Sequence, residues 1–204
     1  MKLLGSPASP FMRKARVFAI EKGIDVEFVL DRPSEPGSRI AGLNPLGKMP
    51  VLVLDDGEAV YDSVVIVDCL EGIKREPQLV PGDFRGRIAV RRWEALGDGI
   101  AEAAINLSHQ YGPMADAEKR AAWTPRQQAK IERGLSLVER SIARHEWLHG
   151  ERFTLADIAA GNAIAYVETV LPGFERKSRF PGLAVYVERL MARPSFRRTD
   201  SSAS

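Results

Sequence analysis

Three short stretches of this sequence place polar groups where a helix or a strand should begin. Ser9-Pro10 and Asp62-Ser63 each lead into an apolar run with helical spacing, where a serine or an aspartate typically caps the first amides. Met49-Pro50 leads into the strand-like run that starts at Val51, and proline suits the first position of a strand because it has no amide to donate. A cis bond before Pro50 would turn the main-chain groups of Met49 outward, where an extended peptide could pair with them as an added strand.

The elements that position these stretches form a small α/β domain. Alternating apolar runs predict strands, and runs with helical spacing predict the helices. The predicted order is a strand over Lys2–Gly5, a helix from Pro10 to Gly23, a parallel strand over Asp25–Leu30, a hairpin over Val51–Leu54 and Ala59–Tyr61, and a helix that ends near Ile73. Residues 31–47 are rich in Pro, Ser, Gly and Asn, which predicts a surface loop with at most one short helix.

A linker and an all-helical domain follow. Prolines and glycine in residues 77–83 predict a linker between a first domain of residues 1–76 and a second domain of residues 84–204. Helical spacing in the second domain predicts helices over about 84–111, 125–147, 154–171 and 181–192. Thr154 and Asp157 have the spacing of a capping box, so this motif is predicted to be structural, and replacing Asp157 with alanine is expected to cost about 1 kcal/mol of stability.

Composition excludes several classes of function. Hydrophobic residues make up 45% of the chain and charged residues 27%, as in ordinary soluble proteins, and a net charge of +2 is too small to indicate nucleic acid as a partner. The single cysteine, Cys69, permits no internal disulfide and is predicted to be a core residue. With no signal peptide or membrane-spanning run, we expect a cytoplasmic protein without a membrane partner. The clustered C-terminal arginines are interpreted as a solvated helix face: Arg189, Arg193, Arg197 and Arg198.

Four motifs, in this order and at this spacing, resemble the landmarks of the glutathione S-transferase superfamily. They are Ser9 to Lys14, Asn44 to Leu52, Tyr61 to Ser63, and Phe153 to Ala159. The resemblance covers nearly the whole chain, and the first two motifs are most similar to a small bacterial branch, the YibF-like proteins. It implies an α+β two-domain fold, with a thioredoxin-like βαβββα domain followed by an all-α domain. It also implies glutathione as a co-substrate and no metal.

The resemblance implies that Ser9 faces the sulfur of reduced glutathione. Its position matches the serine of theta-like and zeta-like enzymes and the cysteine of omega-like enzymes. A free thiol has a pKa of about 8.5, and a hydroxyl donor at a helix N-terminus favours the thiolate. Ser6 is the nearest rival for this role, and Phe11 would border the sulfur site. A pure N-cap at Ser9 stays open as the alternative.

The other glutathione contacts are implied in the same way. Met49-Pro50 would present the main chain of Met49 to the cysteinyl part of the tripeptide, while Ser63 and Asp62 would bind the γ-glutamyl carboxylate and amine. Lys48, with Arg39 as a weaker candidate, could reach the glycine carboxylate. The structural alternatives are helix capping by Asp62-Ser63 and simple solvation of the two cations.

No motif specifies the site for the second substrate. By resemblance it should lie between the domains, beside the helix that follows the linker, and the candidates are Trp93, Ile100, Asn106, Leu107, His109 and Tyr111. The resemblance also implies a two-fold homodimer, in which Asp98 could reach the γ-glutamyl amine across the interface.

Three functions are compatible with these residues. The first is a glutathione transferase that adds the activated thiolate to a small electrophile. The second is glutathione-dependent reduction of disulfides or peroxides, although serine at position 9 argues against a mixed disulfide with the protein. The third is a non-catalytic binding or regulatory module that keeps the same fold.

Overall fold

The computed structural model describes residues 1–108, 117–171, 173–174 and 176–200. The chain divides into two compact units. The first unit contains Met1–Val80 together with the segment that starts at Ala192, and the second contains Pro81–Met191. The predicted boundaries after residue 76 and before residue 84 stay a prediction. The structure adds that residues 192–200 pack with the first unit, which the sequence did not predict.

The first unit has the predicted strand and helix order, followed by one C-terminal helix. Its four-stranded sheet has the strand order β2-β1-β3-β4, with β1 parallel to β2 and the β1–β3 and β3–β4 pairs antiparallel. This mixed sheet confirms the predicted thioredoxin-like arrangement. The elements are β1 (Lys2–Gly5), α1 (Pro10–Lys22), β2 (Glu27–Leu30), α2 (Ile40–Leu43), β3 (Val51–Val53), β4 (Ala59–Val60) and α3 (Ser63–Ile73).

Alternation along the strands gives the sheet two buried faces. Leu4 and Val51 form a cluster with Ile40, so the short helix α2 covers one face. Leu3 and Leu52 point to the opposite face and are also buried, both at 2% exposure or less. The sheet is therefore covered on both sides, which holds the ends of β1 and β3 in place.

The described part of the second unit is helical. Gly97 allows its two central helices to touch, because a Cβ atom there would lie 2.7 Å from the main chain of Ala159. None of the described helices, in either unit, is both long enough and apolar enough to cross a membrane. The helices are α4 (Phe84–Leu107), α5 (Ala117–Ile142), α6 (Leu155–Val170), α7 (Arg176–Arg179) and α8 (Pro181–Met191), while α9 (Pro194–Arg198) belongs to the first unit.

Helix α5 differs from the prediction at both ends. Pro125 lies inside the helix rather than at its start. Proline removes one amide donor, but Ile131, Leu135 and Val138 are buried along the same helix and keep it in place. Trp147 lies beyond the end of α5, where its amide donates to the carbonyl of Gly150 at 2.9 Å. The predicted end of α4 near residue 111 falls outside the described residues.

Asp157 forms the predicted capping box and also accepts hydrogen bonds from other parts of the second unit. Its Oδ2 accepts from the amide of Thr154 at 2.9 Å, and the Thr154 hydroxyl accepts from Ala156 at 3.3 Å. Its Oδ1 also accepts from the amide of Leu148 at 2.9 Å and from the hydroxyl of Tyr186 at 2.8 Å. Because this fully buried carboxylate joins three parts of the second unit, we expect its loss to cost more than about 1 kcal/mol of stability.

Candidate functional site

The loop between β1 and α1 places Ser9 as the N-cap of α1. Ser9 has extended main-chain angles, φ −81° and ψ 126°, and its Oγ accepts from the amide of Met12 at 3.3 Å. Pro10 occupies the first helical position, where a missing amide does no harm. Within the described chain, the hydroxyl proton of Ser9 has no acceptor. Ser9 is therefore an N-cap, and among the described residues nothing prevents its hydroxyl from also donating to a ligand.

Ser6 links this loop to the loop before β3. Its amide donates to the sulfur of Met49 at 3.1 Å, although the two residues are 43 positions apart. Its Oγ accepts from the amide of Ala8 at 3.3 Å, and the residue is 6% exposed. A side chain at Gly5 would crowd this region, since a Cβ atom there would lie 3.0 Å from the sulfur of Met12 and would touch the Cβ of Met49 at 3.4 Å. Ser6 thus lies at the junction of the loops, less exposed than half-buried Ser9.

Met49 presents unpaired main-chain groups beside the sheet. The bond between Met49 and Pro50 is cis, as predicted. Neither the amide nor the carbonyl of Met49 forms a hydrogen bond with another part of the described chain. Strand β4 pairs only with Leu52 and Val53, so it does not reach Met49. This arrangement leaves a hydrogen-bonding position for an extended peptide.

Asn44 organises the loop that carries Met49, and the sequence analysis gave it no role. Its Nδ2 donates to the carbonyl of Lys48 at 2.8 Å, and its Oδ1 accepts from the amide of Leu46 at 3.0 Å. Asn44 is 2% exposed. The signal was available, because asparagine before proline and glycine commonly bonds to its own turn.

At the N-terminus of α3 the cap and the candidate binding residue are different residues. Asp62 is the N-cap, and its Oδ1 accepts from the amide of Val64 at 3.1 Å. Ser63 is the first helical residue and is 4% exposed, yet its amide and hydroxyl have no partner among the described residues. The bond between Tyr61 and Asp62 is also cis, which the sequence did not predict. Free donors at a helix N-terminus suit an anion such as a carboxylate.

Of the two candidate cations, Lys48 is the available one. Its side chain is exposed, and its ammonium group has no partner in the described part of the chain. Arg39 is already paired, with its Nε 3.4 Å from Oδ2 of Asp31. Burial alone would raise the pKa of Asp31, but hydrogen bonds from Ser38 and Arg39, with the nearby guanidinium, hold this pKa below its usual value. Arg39 thus binds Asp31 and stabilises the loop between them.

The candidates for the second substrate site all belong to the second unit. Ile100 is 2% exposed and packs closely against Gly134 of α5, so it is a core residue rather than an exposed lining residue. Trp93 and Asp98 are half-buried on α4, as are Asn106 and Leu107 at its end. His109 and Tyr111 lie outside the described residues. In the first unit, Phe11 is half-buried at the second position of α1.

Comparisons with known proteins match both units. A family model described as the glutathione S-transferase N-terminal domain matches residues 8–73, and a model of the glutathione S-transferase C-terminal domain matches residues 121–189. The chain is 37% identical to the uncharacterized GST-like protein YibF of Escherichia coli K12, over 98% of each chain.

Solved structures agree with these matches. A glutathione S-transferase from Methylobacillus flagellatus KT, with GSH bound, is 42% identical with a TM-score of 0.89, over 97% of this chain and 98% of that one. A glutathione S-transferase from Methylobacterium radiotolerans JCM 2831, in complex with glutathione sulfonate, is 37% identical with a TM-score of 0.86, over 97% and 93% of the two chains.

Proposed function

Because the chain belongs to the glutathione S-transferase family, we propose that it is an enzyme that binds reduced glutathione and activates its thiol for attack on a small electrophile. The observation that carries the proposal is a set of hydrogen-bonding groups in the first unit that have no partner among the described residues. These groups are the Ser9 hydroxyl proton, the main chain of Met49, and the amide and hydroxyl of Ser63. Unused polar groups at two helix N-termini and one strand start are typical of a binding site.

The tripeptide would lie extended along the loop at Met49. The main-chain amide and carbonyl of Met49 would bond to its cysteinyl residue as an added strand would. Ser63 would donate to the γ-glutamyl carboxylate, and the second carboxylate oxygen of Asp62 would accept from the γ-glutamyl amine. The exposed ammonium of Lys48 would attract the glycine carboxylate.

Ser9 would act on the sulfur. Its proton would hydrogen-bond the thiolate, and the N-terminus of α1 would add a favourable field. Lowering the thiol pKa by one unit requires about 1.4 kcal/mol, which such a donor and a helix terminus can supply together. The thiol proton passes to solvent, the sulfur electron pair forms a bond to the electrophilic carbon, and the displaced electron pair leaves with a leaving group or is protonated.

Binding and the state of the thiol can be measured separately. Calorimetry should detect binding of reduced glutathione to the wild type, and the ultraviolet absorbance of the thiolate should show ionisation near neutral pH. Ser9→Ala should bind glutathione but lose that absorbance. Ser6→Ala is the matched control, because Ser6 is a serine of the same loop. Equal absorbance in Ser9→Ala and the wild type would remove Ser9 from its proposed role.

The same purified protein distinguishes the other two functions. Turnover of hydroperoxides or disulfides, without conjugation of electrophiles, would favour the reductase. Glutathione binding with no turnover of any of these substrates would favour the non-catalytic module. No heat with reduced glutathione would overturn the whole proposal.

We also propose that the protein forms a homodimer in the cytoplasm. Each unit exposes large apolar side chains: Phe84 and Ile88, one turn apart on α4, are 78% and 46% exposed, and Val65 and Ile73 of α3 are 49% and 50% exposed. Neighbouring exposed apolar groups such as Phe84 and Ile88 are typical of a covered surface. A single cysteine suits a reducing compartment. Light scattering should give the mass of a dimer, and Phe84→Asp should lower it toward that of the monomer.

A further inference from the structure

The segment that starts at Ala192 lies along α1 and is anchored to it at two points. The first anchor is Arg13, in the first turn of α1, which is 8% exposed. Its Nε donates to the hydroxyl of Thr199 at 3.3 Å, and its Nη2 donates to the carbonyl of Phe196 at 3.2 Å. The guanidinium also lies over the ring of Phe196, 5.7 Å from its centre.

The second anchor is Glu21, in the last turn of α1. Arg193 binds its carboxylate with two hydrogen bonds, of 2.8 and 2.6 Å, across 172 positions of sequence. Ser195 donates to the same carboxylate. The interpretation of the C-terminal arginines as a solvated face is therefore wrong for Arg193. The two anchors are about 12 Å apart along the helix, so the segment holds α1 at both ends.

The anchor at Arg13 acts on the turn that contains Ser9. The amide of Arg13 donates to the carbonyl of Ser9 at 3.0 Å, and the amide of Met12 donates to the Ser9 hydroxyl at 3.3 Å. Ser9 and Arg13 thus close one helical turn. The side chain of Arg13 then ties this turn to Thr199, which is itself held because its hydroxyl donates to the carbonyl of Ser195 at 2.8 Å.

We propose that Arg13 is a positioning residue for Ser9: by binding Thr199 and Phe196, it holds the first turn of α1 where the Ser9 hydroxyl meets the glutathione sulfur. This inference rests on the proposed function of Ser9. A displacement of about 1 Å in a positioned catalytic group can reduce a rate by about a hundredfold, so a donor needs such support. The C-terminal segment thereby becomes part of the thiol-activating site.

The chain offers a conservative variant and two controls. Arg13→Lys keeps the positive charge but loses the planar group that reaches two acceptors. Arg197→Lys makes the same change at an exposed arginine of α9, whose Nη1 bonds to the carbonyl of Ala192 at 2.9 Å. Glu21→Gln weakens the other anchor of the same segment. Thr199→Val removes one acceptor of Arg13 and serves as a second test if Arg13→Lys folds poorly.

The first readout is the pKa of bound glutathione, from thiolate absorbance against pH. In Arg13→Lys and Thr199→Val we expect this pKa to rise by about half a unit, which lowers the thiolate fraction near neutral pH about threefold. Glu21→Gln and Arg197→Lys should leave the thiol pKa unchanged. The dissociation constant of glutathione should change little, because Arg13 holds no part of the peptide. An unchanged thiol pKa in both test variants, or an equal rise in Glu21→Gln, would overturn the inference.

The second readout needs no ligand. Amide hydrogen exchange in the free protein should be faster at positions 12 and 13 in the two test variants than in Glu21→Gln. Failure of the wild type to bind glutathione would refute the proposed function, and this exchange measurement would still test the anchor. Unchanged exchange at Met12 and Arg13 in Thr199→Val would show that the segment does not hold the first turn.

Discussion

Replacing Ser63 with alanine should weaken glutathione binding without unfolding the protein. Ser63 is 4% exposed, and its amide and hydroxyl have no partner within the described residues. Because Asp62 accepts the capping hydrogen bond from Val64, the substitution leaves the α3 cap in place. The change should therefore act on the ligand rather than on the helix.

The expected loss follows from one hydrogen bond to a charged group. Such a bond contributes about 1.5–3 kcal/mol, and about 1.4 kcal/mol changes a dissociation constant tenfold. The dissociation constant for glutathione should therefore rise by a factor of about 10 to 150. Binding should be weakened rather than abolished, because the main-chain amide of residue 63 remains as a donor.

Calorimetry with two ligands identifies the group that Ser63 binds. One ligand is reduced glutathione, and the other is an analogue whose γ-glutamyl carboxylate is a neutral amide. Ser63→Ala should weaken binding of the analogue by at most about tenfold, since a hydrogen bond between neutral groups contributes about 0.5–1.5 kcal/mol. Ser136→Ala is the matched control, because that hydroxyl bonds to the carbonyl of Glu132 within α5, at 2.7 Å. An equal loss for both ligands, or no loss for glutathione, would refute the assignment.

Three further predictions concern single side chains. Asp157→Ala should lower the free energy of unfolding by about 3 kcal/mol or more, because it leaves several buried donors unpaired. Urea titrations measure this free energy, and a loss near 1 kcal/mol would contradict the prediction. Lys48→Gln should weaken glutathione binding up to about fivefold at low salt, whereas Lys48→Arg, which keeps the positive charge, should not. An equal loss of affinity in both variants would argue against a role for the charge. Because folding lowers the pKa of Asp31, its carboxylate stabilises the protein at pH values above its unfolded pKa of about 4, and this contribution is lost as the pH falls through the folded pKa. The difference in unfolding free energy between the wild type and Asp31→Asn should therefore narrow below about pH 4. A difference that stays constant with pH would refute this.

Features that depend on neighbouring residues were predictable from the sequence. Ser9 caps α1 because serine before proline satisfies the first amides, and Gly23 ends the helix in a left-handed conformation, φ 59°. Val51 begins a strand after proline, as expected. These outcomes need only a few residues on either side of each position, whereas the glutathione-binding roles were implied by the family resemblance.

Features that depend on distant residues were not predictable. Arg193 meets Glu21 across 172 positions, and neither residue differs locally from any other surface charge. Pro125 has the local pattern of a helix start, but packing along α5 overrides it. The orientation of Arg13 toward Phe196 follows from the tertiary fold alone. The contacts that support the candidate site therefore required the structure.

The two helix N-termini show that capping is compatible with the binding roles proposed for the same residues. At α1 a single serine could do both, because the Ser9 oxygen accepts from Met12 while its proton has no acceptor among the described residues. At α3 Asp62 is the cap, and the neighbouring Ser63 has an amide and a hydroxyl without a partner in the described part of the chain. A carboxylate needs several donors, which an uncommitted amide and hydroxyl supply together, whereas a thiolate needs only one well-placed proton. In the proposed site, the position of that proton would depend on one rotating hydroxyl. The first turn of α1 would therefore need firmer support than the first turn of α3, and Arg13 and Thr199 are placed to provide it.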